Sequence, residues 1–113
     1  MSVSIAPSIK AEPYVRLRAW MLLEDGRGHR YFVGRCEDTR QSRISSAIRY
    51  FDADKRRGTT FSGRVYALSG EAGIDAETQR VLERWLELNR IVEWKDVSAE
   101  LPGFIATSIP PVD

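Results

Sequence analysis

Between residues 15 and 23 the odd positions Val15, Leu17, Ala19, Met21 and Leu23 are all apolar, with Arg16, Arg18, Trp20 and Leu22 between them. An apolar residue at every second position marks a half-buried strand, because successive side chains of extended backbone point to opposite faces. The pattern predicts a core face on the odd positions and a second, open face carrying Arg16, Arg18 and Trp20, as in an antiparallel sheet packed on one side. Glu24-Asp25-Gly26-Arg27-Gly28 follows, and Asp-Gly between two alternating runs predicts a hairpin turn. Strand two is then expected over residues 29–36. After a polar stretch, Ile44, Ala47, Ile48, Tyr50 and Phe51 predict a third strand over 43–51. Residues 52–58 form a charged turn, and 59–61 and 64–68 read as two further strands around Ser62-Gly63.

The period then changes. Gly70 and Gly73 mark a connection, and Asp75 stands where a helix N-cap belongs. Over residues 76–89, Val81, Leu82, Trp85 and Leu88 recur every three to four positions and predict one apolar stripe, with Glu77, Arg80, Glu83, Arg84 and Glu87 facing water. Residues 91–94 suggest a short last strand, and 96–101 a single helical turn capped by Asp96 or Ser98. Strands followed by one helix, with short links, define an α+β fold. The expected architecture is an antiparallel sheet of about 4–5 strands, curled into an SH3-like half-barrel and covered by one C-terminal helix, with no parallel crossover. Residues 13–101 form the single domain, between a flexible N-terminal tail at 1–12 and a C-terminal tail at 102–113.

A length of 113 residues suffices for one core without metals or disulfides. No apolar run approaches the roughly 20 residues of a bilayer span, so no membrane partner is expected. The N-terminal ten residues lack a basic start and an apolar core, and Cys36 is the sole cysteine; both point to a cytoplasmic chain without an internal disulfide. Net charge is +1, yet residues 1–67 hold 13 Lys and Arg against 7 Asp and Glu, while residues 68–113 hold 4 against 9. Eleven of those 13 early cations are arginine, the side chain that pairs bidentately with phosphate and carboxylate. Either the first half carries a basic sheet face, or the two halves neutralise each other in the fold.

Chemistry is sparse. His29 and Cys36 are seven residues apart in one predicted strand, which places them on opposite faces and disfavours a Cys-His dyad. The carboxylate pairs Glu24/Asp25, Glu37/Asp38 and Asp52/Asp54 fall in predicted turns without calcium-loop spacing, and the glycines match neither phosphate-binding fingerprint. No enzyme, cofactor or metal is expected. What remains is arginine: Arg16, Arg18 and Trp20 on one strand, then Arg43, Arg49, Arg56 and Arg57. Cations interleaved with aromatics suit single-stranded nucleic acid, with Trp20, Tyr31 or Tyr66 as stacking surfaces.

The stretch Ser62-Gly63-Arg64-Val65-Tyr66-Ala67-Leu68, with Gly70, Gly73, Asp75, Trp85, Asn89 and Asp96-Val97, resembles a family of small uncharacterised bacterial proteins carried by phages, plasmids and other mobile elements. The resemblance spans residues 42–101. It departs at Leu86, where that family often has cysteine. It implies a non-enzymatic, stoichiometric inhibitor or accessory factor, of anti-CRISPR or other anti-defence type. Such a factor would bind a host or self protein complex through the arginine face, or through Glu77, Glu83 and Glu87 as phosphate mimics. The alternative is a nucleic-acid-binding module using the same arginine-rich face. A homodimer closed by Trp20 and Leu22 is a further expectation.

Overall fold

The computed structural model describes residues 10–103. Five strands come first: β1 (Tyr14–Asp25), β2 (Arg30–Cys36), β3 (Ser42–Asp52), β4 (Arg57–Thr60) and β5 (Val65–Leu68). Helix α1 (Ala76–Leu88), a short β6 (Trp94–Asp96) and a 3-10 turn, Ser98–Gly103, complete the described chain. The fold is α+β with a mostly antiparallel sheet, and the helix follows five of the six strands. The last strand lies later than residues 91–94, and β4 begins inside the expected charged turn. The hairpin turn holds through the Asp25 carboxylate, whose Oδ1 accepts from the backbone N–H of Arg27 and His29 at 2.9 and 3.0 Å.

Each of β2 to β5 is antiparallel to the strand before it, and β1 also pairs with β5, so the five strands close into a ring. In an odd-numbered antiparallel meander the first and last strands run the same way, so the closing pair must be parallel. It is: Tyr14 to Leu17 pair with Val65 to Leu68 in parallel register. The sheet therefore curls beyond a half-barrel, and a parallel pair arises without any crossover helix. β6 lies antiparallel along the second half of β1.

β1 does not keep the alternation its sequence shows. Val15 and Leu17 enter the barrel, but at Ala19, whose φ is 46°, the strand bulges and its register against β2 shifts. One extra residue turns every later side chain to the other face. Trp20 and Leu22 thereby enter the interior with Phe32, Cys36, Ile48, Phe51, Tyr66 and Leu68, while Met21 and Leu23 point outward. Gly34 lies across from the bulge, where a Cβ would stand 3.2 Å from the Trp20 Cα.

The outward residues of the bulged half are covered by α1. Asp75 caps it, accepting from the Thr78 N–H at 2.8 Å, and the helix buries Thr78, Leu82 and Leu86. Leu82 and Leu86 pack on Met21, Leu23 and Val33, and Thr78 shares a 2.8 Å hydrogen bond with Ser42. The stripe is thus rotated from the predicted one. Leu88 is 57% exposed, Trp85 is half-buried against the edge of Tyr31, and Leu86 takes the core place.

At one end the barrel is closed by Glu12, a residue the sequence placed in the tail. Its carboxylate pairs with Arg43 at 2.8 Å, and its carbonyl accepts from Arg64 Nε at 2.8 Å. Residues 1–9 and 104–113, the remainder of the expected tails, lie outside the described residues. Among the described residues no helix is long and apolar enough to cross a membrane.

Candidate functional site

The pairing register decides which side chains share the outer surface of the barrel. One row across β1, β5, β4 and β3 is Val15, Tyr66, Gly58 and Phe51, all buried. The rows on either side must therefore point outward. They are Tyr14, Val65, Thr59, Tyr50 and, in parallel, Arg16, Ala67, Arg57, Asp52. The helix packs on β2 and β3 and leaves this surface open. Tyr14 and Tyr50 remain 42% and 54% exposed, with β5 and β4 between their strands. Small, partly buried Val65, Thr59 and Ala67 form a shallow floor between them.

A second bulge extends this face. The β3 register against β4 shifts between Ile48 and Tyr50, which puts Arg49 on the outside beside Tyr50. Its guanidinium lies 5.4 Å from the Tyr50 ring centroid and 5.7 Å from that of Phe61, which is 43% exposed. Arg16 stands at the other edge. The Tyr14 side chain and then the Glu37 carboxylate, 4.0 Å away, hold its pKa above the ordinary arginine value. Arg57 is exposed and makes no ion pair among the described residues.

The expected site residues thus separate. Arg16, Arg49 and Arg57 meet on the open face, and Arg18 is exposed one pleat further along β1, level with Arg35. Trp20 does not belong there: it is 2% exposed, in the interior, and its Nε1 donates to the Gly70 carbonyl at 3.1 Å. With Leu22 fully buried as well, the apolar pair expected to close a homodimer is not on the surface. Arg56 lies over the Trp20 ring at 5.4 Å and donates to the same carbonyl at 2.7 Å, so it clamps the glycine link to the barrel. Arg43 is 7% exposed, and although burial penalises its charge, Glu12 and Tyr66 keep its pKa raised. It is a structural plug, unavailable to a partner.

Other arginines are neutralised by the acidic second half. Arg35 holds Asp75 at 2.8 Å and Glu77 at 3.2 Å, and Arg30 reaches Glu100 at 3.1 Å. Charge segregation along the chain is therefore partly spent on internal pairing and partly left on the open face. Of the expected stacking aromatics, Trp20 and Tyr66 are buried and Tyr31 is turned toward Trp85. The aromatics exposed on this face, Tyr14, Tyr50 and Phe61, are not the ones the sequence points to as stacking surfaces. The pair Tyr50-Phe51 carried the signal, because adjacent residues in a strand cannot both enter the core. Cys36 is buried in the barrel while His29 is exposed on the hairpin beside Asp25, so the two do not meet.

This arrangement defines a class, a small closed α+β barrel with one uncovered aromatic and arginine-bearing face. A scan against protein-family models and searches of curated proteins and of solved structures find no match to the chain.

Proposed function

We propose that this chain is a non-enzymatic binding module, an SH3-like small barrel whose open face takes single-stranded nucleic acid. The observation that carries the reading is the convergence of Tyr14, Tyr50 and Phe61 with Arg16, Arg49 and Arg57 on one uncovered sheet surface. Sheets of this kind stack bases on exposed aromatics, worth about 1–3 kcal/mol per base, and follow the phosphates with cations. Arg49, already held against the Tyr50 and Phe61 rings, is preorganised to present its donors. Fluorescence anisotropy with a labelled single-stranded oligonucleotide tests this. Tyr50→Ala should weaken binding by about tenfold, and Arg16→Glu with Arg57→Glu should abolish it while the unfolding temperature stays within a few degrees of the parent's. Unchanged affinity in the double variant would overturn the assignment.

A second reading is a stoichiometric protein inhibitor or accessory factor of a bacterial mobile element, of anti-CRISPR or other anti-defence type. The observation favouring it is the exposure of three large apolar side chains late in the chain, Leu88, Val92 and Trp94, at 57%, 90% and 39%. Exposed large apolar side chains of this kind mark protein contacts more often than nucleic-acid ones. Binding to one protein complex that survives nuclease and moderate salt, and is lost in Trp94→Ala, would favour it over the first.

A further inference from the structure

Strands β1 to β5 close on one another, but β6 does not share in the ring. It pairs with β1 alone, Asp96, Lys95 and Trp94 lying opposite Leu23, Glu24 and Asp25, and among the described residues no strand pairs with its other side. All three of its residues are exposed. Just beyond it the Val97 N–H donates to the Leu22 carbonyl at 2.8 Å. Hydrogen-bonded positions alternate along an antiparallel strand, so Lys95 also turns its main-chain groups toward β1, and Trp94 and Asp96 turn theirs to the open side. Such a row of unpaired N–H and C=O groups is a template for a further strand.

The side chains along this edge restrict what can pair with it. Glu93 lies against Gly26 of the hairpin, which offers it no side-chain partner, and it forms no ion pair among the described residues. Lys95 stands 3.7 Å from Glu24, a carboxylate that already accepts from Arg30 Nε at 2.8 Å, and the lysine side chain is still 65% exposed. A lysine on a short edge strand ordinarily discourages pairing. Here an uncommitted carboxylate sits two residues before it, on the same face of the extended chain. Trp94, between them, presents its side chain to the opposite face and is 39% exposed.

A second copy of the chain fits these restrictions. Two identical strands that pair antiparallel are related by a two-fold axis, and each contact is made twice. Outward main-chain groups must meet outward groups, so the axis passes through a residue and not between two. Centred on Glu93, Lys95 or Asp96, the pairing sets a like charge against itself, which is unfavourable at cross-strand distance. Centred on Trp94, it brings the outward groups of the two Trp94 residues together and sets Glu93 of each copy opposite Lys95 of the other. Each lysine then lies between Glu24 of its own chain and Glu93 of the second.

We infer that β6 is a self-association edge, through which two copies join antiparallel about an axis at Trp94 and extend the sheet from one molecule into the next. Sedimentation equilibrium of the parent, from about 10 μM to about 1 mM, should show a dimer that grows with concentration. Lys95→Glu sets carboxylate against carboxylate at both crossings, and Glu93→Lys sets ammonium against ammonium. Each should weaken the dimer by about tenfold or more. Glu93→Lys should unfold within a few degrees of the parent, since its own fold sets only Gly26 against it. An equimolar mixture of the two single variants restores an opposite charge at both crossings and should associate as the parent does. The variant carrying both changes should do the same. Oligonucleotide binding should stay unchanged in all of them, because neither residue belongs to the barrel face. A parent that is monomeric throughout the range overturns the inference and leaves Trp94 to a different protein. So does a mixture that associates no better than its components, which would show that Glu93 and Lys95 do not face each other.

Discussion

Gly58 shows how tightly single residues constrain this barrel. It lies in the inward row between Tyr66 and Phe51, and a Cβ built on it would fall on the Tyr50 carbonyl oxygen and stand 3.1 Å from both Phe32 and Phe51. A backbone oxygen cannot step aside as a flexible side chain can. Gly58→Ala is therefore expected to destabilise by about 3 kcal/mol, the upper end of overpacking costs, read as a lower urea midpoint at unchanged slope. An unchanged midpoint would mean that β3 and β4 are further apart than described. Ala19 constrains differently: its positive φ creates the bulge that sends Trp20 inward. The alternation of residues 15–23 was legible, but its interruption was not, because alanine carries no signal for left-handed backbone.

At the scale of elements, the N-terminus of α1 is where the chain's two oppositely charged halves are joined. Asp75 accepts from Thr78 N–H and from Arg35 Nε, both at 2.8 Å, and the Arg35 bond first, then the Thr78 bond, hold its pKa well below the ordinary carboxylate range. A carboxylate whose folded pKa is depressed adds stability that is present above its unfolded value, 3.8, and lost as the pH falls through the lower folded value. Unfolding temperatures measured from neutral pH into acid should thus fall more steeply below that value for the parent than for Asp75→Ala. At neutral pH the variant should be less stable by about 1 kcal/mol, the usual worth of a cap. Parallel curves would show that Asp75 is not ionised against Arg35. The cap and helix bounds were legible from Asp75 and the glycines before it. The buried stripe was not, because periodicity admits Leu86 as readily as Leu88, and only the position of β2 and β3 selects between them.

For the whole molecule, a near-zero net charge conceals a divided surface. Arg30 and Arg35 are neutralised across the fold by Glu100, Asp75 and Glu77, whereas Arg16, Arg49 and Arg57 stay on the uncovered face. If those three meet phosphates, the logarithm of the association constant for a single strand should fall with the logarithm of salt concentration at a slope of about −2. The slope should shrink to about −1.4 in Arg57→Gln, which removes one of the three phosphate contacts. A flat dependence for the parent would instead favour the exposed apolar side chains Leu88, Val92 and Trp94 as the working contacts.

The sequence by itself determined the class and order of the elements, the hairpin at Asp25-Gly26, the cap at Asp75 and the arginine bias of the first half. Each follows from interactions between residues a few positions apart, which periodicity and turn chemistry report directly. Tertiary structure alone decided that five strands close through a parallel pair, that a bulge buries Trp20, and that Glu12 captures Arg43. It also decided which aromatics join Arg16, Arg49 and Arg57. Those outcomes depend on register between strands far apart in the chain, and a shift of one residue there exchanges core for surface.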